Sequence, residues 1–145
     1  MLLFSWCPSR RMKPLAILVA SLAGFATEVL WYSPLLFRKP WMRAVGWTDE
    51  AFRKAREEGV AFSLFLSFLL SVITATVLNW LLDTLEMSTV KEGMMLAALL
   101  WLGFIATTYL DRVLWEGRSV SLYALTASHY LLALLAMGAI IGAWA

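Results

Sequence analysis

Glu28, Tyr32, Ser67, Ser71, Thr107, Asp111 and His129 are the residues within the apolar part of this chain whose side chains could bind a polar ligand. A carboxylate and an imidazole can hold or relay a proton or take up a cation, and neighbouring hydroxyls can hydrogen-bond a solute. Other chemistries lack their parts. The sequence has no GxxxxGK[ST] phosphate loop, no HExxH and no CxxC. A single histidine and a distant Cys7 do not make a zinc set, so no metal and no cofactor are expected. Ser71, His129 and Glu28 form a Ser-His-acid triad only on paper, because no nucleophile elbow accompanies them. A non-enzymatic role is therefore the expectation.

The elements that must position these residues follow from composition. The 145 residues are 61% hydrophobic and 15% charged, where soluble domains are about half apolar and about a quarter charged. A chain this short could not hide so much apolar surface from water. Four apolar runs, at 14–37, 60–82, 90–113 and 120–144, each reach the length of about 20 residues that crosses a bilayer as a helix. They lack the alternation of barrel strands. The fold class expected is all-α, a polytopic integral membrane four-helix bundle forming one domain over residues 12–145. A net charge of +2 without basic runs among aromatics gives no reason to expect nucleic acid. The single Cys7 has no internal disulfide partner.

Local signals punctuate the runs. Pro14 suits a first helical turn, and Pro34 disfavours helical geometry at Ser33 late in the first run. Thr48, with Asp49 and Glu50 behind it, predicts a short interfacial helix in the first loop, ended by Gly59. Glu50–Lys54 and Arg53–Glu57 are spaced as helical ion pairs. Thr89 and Glu92 form a capping box, and Gly117 with Ser119 separates the last two spans. Trp31, Trp41, Trp80 and Trp115 stand near span ends, as interfacial anchors do.

Helical spacing assigns faces. Ala16, Ala20, Gly24 and Glu28 lie four apart, so a small-residue face suited to close helix approach carries Glu28 inward. Ser63, Ser67, Ser71, Ala75 and Asn79 repeat that spacing in the second span, and Gly103, Thr107 and Asp111 in the third. In the fourth, His129 shares a face with Ala133, and Gly138 with Gly142 makes a GxxxG that marks close packing within or between chains. Glu28 and His129 each sit roughly 5 Å from mid-span toward the same side. An isolated charge at that depth is costly, so Glu28 is expected to be neutral, paired with His129, or in a polar pocket. The structural alternative is that Glu28, His129 and the serines only pin helices together. Asp111 with Arg112 also reads as an ion pair at a helix end, and Met94, Met95 and Met137 as lipid-facing or core filler.

Lysine and arginine are biased toward one side. Arg38, Lys39, Arg43, Arg53, Lys54 and Arg56 occupy the first loop, and Arg112 and Arg118 the last turn. The other side has Arg10, Arg11, Lys13 and Lys91. The positive-inside rule then puts loop 38–59 in the cytoplasm and both termini outside. The first run is too long for a cleavable signal peptide and contains Glu28 and Pro34. Met12-Lys13-Pro14 would be a natural start for a membrane protein, so translation is expected to begin at Met12 and residues 1–11 to be a non-native or disordered extension.

The stretch "LAILVASLAGFATEVLWYSPLLFRKPWM", with "LWLGFIATTYLDRVLWEGRS" and "HYLLALLAMGAIIGAW", resembles the bacterial domain-of-unknown-function family 1761 over nearly everything after Met12. The WYSPLLF string followed by Trp41-Met42 carries most of the likeness. Arg38 stands where that pattern favours glycine, and Asp111 where it favours an amide or small polar residue. The resemblance implies a small four-span membrane protein without an assigned activity or catalytic residue, and a bacterial cytoplasmic membrane is the expected location.

The function expected is the binding or movement of a small solute, proton or ion through an interhelical polar pocket. Four helices are few for a lone transporter, so a homo-oligomer is expected, with the lipid bilayer as the other partner. A structural or accessory subunit is the alternative, and a lipid- or quinone-modifying enzyme the third reading.

Overall fold

The computed structural model describes residues 13–144. The expected extension at 1–11 lies outside the described residues, which contain helices and no strand. Four helical stretches are long and apolar enough to cross a membrane: Pro14–Trp31, Val60–Thr84, Val90–Trp115 and Val120–Ala143. Their outward faces are greasy, with Phe62 and Phe104 each 73% exposed. Such continuous apolar exposure fits hydrocarbon and not water, which supports an integral membrane protein.

Helix α1 (Pro14–Trp31) stops earlier than the apolar run that ends at Phe37. Ser33, restricted by Pro34, leaves helical geometry, and the chain turns through residues 32–37. There Phe37 N–H donates to Trp31 O at 3.0 Å. Helix α2 (Arg38–Val45) follows and ends on Gly46, whose left-handed φ of 74° suits a residue without a Cβ. No N-capping signal in the sequence predicts this helix. Helix α3 (Asp49–Glu57) begins as expected, with Thr48 Oγ1 accepting from Ala51 N–H at 3.2 Å. Of the pairs spaced along it, Arg53–Glu57 closes at 3.9 Å.

Helix α4 is Val60–Thr84. The third long stretch is composite: α5 (Val90–Leu100), a π-helical turn (Trp101–Ala106) and α6 (Thr107–Trp115). Thr89 and Glu92 close the capping box at its start. Helix α7 (Val120–Ala143) is capped by Ser119, which accepts from Leu122 N–H at 3.1 Å.

Helix α7 is the hub. Helices α1 and α5 pack most closely against it, and α4 packs chiefly on α1. Ile17, Ala20, Ala75, Leu78, Met137 and Ile141 form the core where α1, α4 and α7 meet. Met137 is thus core filler, while Met94 and Met95 are exposed. The α5–α7 seam is a backbone-to-backbone contact: a Cβ at Gly93 would run into the Gly138 carbonyl, and one at Gly138 into the Gly93 carbonyl. Gly142 lies the same way against Thr89 and Val90. The GxxxG is therefore occupied within the chain, which removes it as a seam between copies.

The π-turn corrects the expected orientation of Gly103, Thr107 and Asp111. Before it, Gly93, Leu96 and Ala97 face inward. Continuing at helical spacing would bring Thr107 and Asp111 to the same face. A π-turn contains one residue more than an α-turn, and one residue is about 100° of rotation. Ala106 is buried instead, Tyr109 and Val113 are half-buried, and Gly103, Thr107 and Asp111 are exposed.

Candidate functional site

Glu28 sits near the end of α1 because the small residues before it allow close contact. Ala16 and Ala20 are fully buried, and at Gly24 a Cβ would meet the end of Met137 and lie 3.0 Å from Ser71 Oγ. Helix α4 brings the two expected serines to the same place. Ser67 Oγ donates to Glu28 Oε1 across a long 3.4 Å, and Ser71 Oγ donates to the Ser21 carbonyl at 2.9 Å. Ser71 therefore holds α1 against α4 in addition to facing the site. Ser63, one turn earlier, is exposed.

His129 comes from α7 and is only 4% exposed. Neither ring nitrogen has a hydrogen-bond partner among the described residues. Aromatic rings surround it, with centroids at 4.8 Å for Tyr130, 5.3 Å for Tyr32 and 6.4 Å for Trp31. Two indoles brace the turn that precedes it. Trp31 Nε1 donates to Leu125 O at 3.1 Å, and Trp101 Nε1 donates to Ala127 O at 2.7 Å. Trp101 opens the π-turn, so the turn also aims this indole at α7.

Two cavities meet at Glu28 and Tyr130, which line both. The inner one, about 160 Å³, is bounded also by Ser67, Ser71, His129 and Met137. The outer one, about 660 Å³, lies among the end of α1, helices α2 and α3, the starts of α4 and α7, and α6. Tyr32, Trp41, Phe52, Tyr109 and Tyr123 supply its aromatic wall, and Arg112 and Arg118 also line it. This size falls within the range of about 300–1,000 Å³ found for small-molecule sites.

The structure thus gathers Glu28, Ser67, Ser71 and His129 around the inner cavity, with Tyr32 on the outer one beside Glu28. No hydrogen bond joins Glu28 to His129, or the Tyr32 hydroxyl to Glu28, among the described residues. Thr107 donates to Gly103 O at 2.8 Å and faces outward, as does Asp111, and neither lines these cavities. Arg112 lies 5.0 Å over the Tyr109 ring and makes no ion pair with Asp111 among the described residues.

Nothing in the sequence marks Tyr109, Tyr130 and Trp101 as part of the site, or Trp31 as facing inward. An aromatic residue in an apolar run carries no signal of its own about facing lipid or a cavity. A place near a span end predicts an interfacial anchor at Trp31. Its half-buried indole is tied to α7 instead and packs against the Phe37 ring, with centroids 4.3 Å apart and the planes tilted by 39°. Trp80 and Trp115 are exposed, as anchors require.

A family model described as a protein of unknown function (DUF1761) matches residues 15–142. No curated protein and no solved structure matches the chain.

Proposed function

Starting from the chain's membership of the DUF1761 family, whose description assigns no function, we propose that this membrane protein binds or moves a small solute, proton or ion through the interhelical cavities that meet at Glu28. One observation carries the reading: Glu28 lines both cavities, and the inner one also holds His129, whose buried ring nitrogens have no protein partner among the described residues. Intramembrane ionisable groups are rare because they are costly, and a carboxylate and an imidazole on one cavity are poorly explained by packing alone. Glu28 takes the proton or cation, Ser67 orients the carboxylate, and His129 serves as partner or relay. The four long helices form a bundle, with α2 and α3 at the interface.

Proteoliposomes with a trapped pH-sensitive dye and an imposed pH gradient test this reading. The wild-type protein collapses the gradient, and Glu28→Gln slows the collapse on the order of tenfold, equivalent to about 1.4 kcal/mol. Equal decay for the two proteins overturns the reading.

The proposed setting is a bacterial cytoplasmic membrane, with loop 38–59 in the cytoplasm and both termini outside. The motivation is the excess of arginine and lysine at the end that carries α2, α3, Arg112 and Arg118. A cysteine introduced at Ala51, in a Cys7→Ser background, should be shielded from an impermeant maleimide in intact cells and labelled after lysis. Labelling in intact cells would reverse the orientation.

A further inference from the structure

We infer that the outer cavity binds a single-chain anionic amphiphile, with its carboxylate or phosphate group on Arg112 and Arg118 and its apolar body against the aromatic wall. This deepens the proposed function, since it names the solute class for the cavity that ends at Glu28.

Charge placement carries the inference. Arg112 lies near the end of α6 and Arg118 in the turn before α7. Arg118 N–H donates to Arg112 O at 3.2 Å, so one closed turn holds both residues at the same end of the cavity. Both line it. Arg118 has Glu116 at 3.6 Å, but that pair is more than half exposed. Exposed pairs of this kind are weak, and a guanidinium has five N–H donors. Arg112 rests over the Tyr109 ring at 5.0 Å and makes no ion pair among the described residues. A third guanidinium, that of Arg38, lies 3.8 Å over the Phe52 ring in the same wall.

The rest of the lining selects an apolar body. Besides the arginines and Glu28, the lining includes Tyr32, Trp41, Phe52 and Tyr123, and Val60 and Leu64 of α4. Val60 and Leu64 are 36% and 43% exposed, so the α4 wall is also a surface that meets acyl chains. A single-chain amphiphile can therefore enter sideways from the bilayer with its headgroup at the level of the arginines. A cationic amphiphile would place its charge beside two guanidiniums. A neutral one would leave Arg112 without a counter-ion among the described residues and Arg118 with only its exposed pairing to Glu116. Glu28 and Tyr130 mark the inner limit, where the chain ends.

The test uses the full chain in nanodiscs of zwitterionic phosphatidylcholine, with radiolabelled dodecanoate as the probe. Saturable binding is expected, displaced by dodecyl phosphate and not by dodecyltrimethylammonium. Arg112→Gln/Arg118→Gln should weaken it at least about tenfold, through loss of charge-assisted hydrogen bonds. Leu122→Trp, which fills the cavity from α7, should weaken it without changing charge. Absence of saturable binding overturns the inference, as does displacement by the ammonium amphiphile as readily as by the phosphate. If the double arginine variant does not fold, the competition series on the wild type decides. Failure of dodecanoate to bind beside an intact Glu28-dependent proton flux removes this inference alone. Dodecanoate binding with a flux indifferent to Glu28 removes the proposed function and leaves the amphiphile site.

Discussion

Gly93→Leu and Gly138→Leu should each destabilise the protein by about 3 kcal/mol or more, the upper range for overpacking a tight interface. The reason is that the obstacle is backbone on both sides. At Gly93 an added Cβ meets the Gly138 carbonyl, and at Gly138 it meets the Gly93 carbonyl with Ala97 Cβ only 3.0 Å away. A clash with a flexible side-chain end, such as that of Met137 at Gly24, can be relieved by rotation. A clash with a helix backbone requires α5 to move away from α7, which would open the seam through Gly142 as well. Helices in lipid are held by such close packing because hydrocarbon offers no hydrophobic drive for them to associate. Gly103→Leu is the internal control. It stands ten residues after Gly93 in the same long helix, and an added Cβ there meets nothing within 4 Å. Thermal unfolding in mild detergent should show large losses for the first two variants and little change for the control. Similar behaviour of all three would mean that the α5–α7 seam does not hold the fold.

His129→Leu should raise stability by about 1–3 kcal/mol while removing the proposed activity. The neutral imidazole carries one donor and one acceptor. Both nitrogens are buried without a protein partner among the described residues. Leaving a buried polar group unsatisfied costs about 1–3 kcal/mol, and leucine fills a similar space without that cost. Loss of ring contacts with Tyr32 and Tyr130 offsets part of the gain. A histidine kept only for packing would be a poor choice at this position. The proposed role in proton or ligand binding would account for the expense. The unfolding midpoint and the pH-gradient assay on the same preparation decide together. A midpoint well below wild type would show that the imidazole is satisfied in place, and unchanged flux would take His129 out of the function.

The serine stripe and the third-span stripe show how far face assignment from spacing can be carried. Ser67 and Ser71 turn inward as four-residue spacing implies, because α4 is an uninterrupted helix from Val60 to Thr84. Thr107 and Asp111 do not, because the π-turn at Trp101–Ala106 rotates everything after it. No proline or polar residue in "WLGFIA" announces that turn. It pairs with a tertiary contact instead, the hydrogen bond from Trp101 to Ala127 O. The same contrast separates the two small-residue faces of the third span. Gly93 and Ala97 are buried against α7, whereas Gly103 is exposed.

Residue chemistry alone was enough for the features whose cause is local. Apolar length produces helices able to cross a bilayer. Thr48, Thr89 and Ser119 start their helices where a hydroxyl can accept a backbone N–H, and Pro34 ends the first. The spacing of Ala16, Ala20, Gly24 and Glu28 turns the carboxylate toward the other helices. Contacts between helices were needed for the rest: which glycines meet, where the third span rotates, which aromatic rings face His129, and that Glu28 lines two cavities. In a chain whose core and surrounding solvent are both apolar, composition cannot tell an inward face from an outward one. Only the packing of one helix on another can make that distinction.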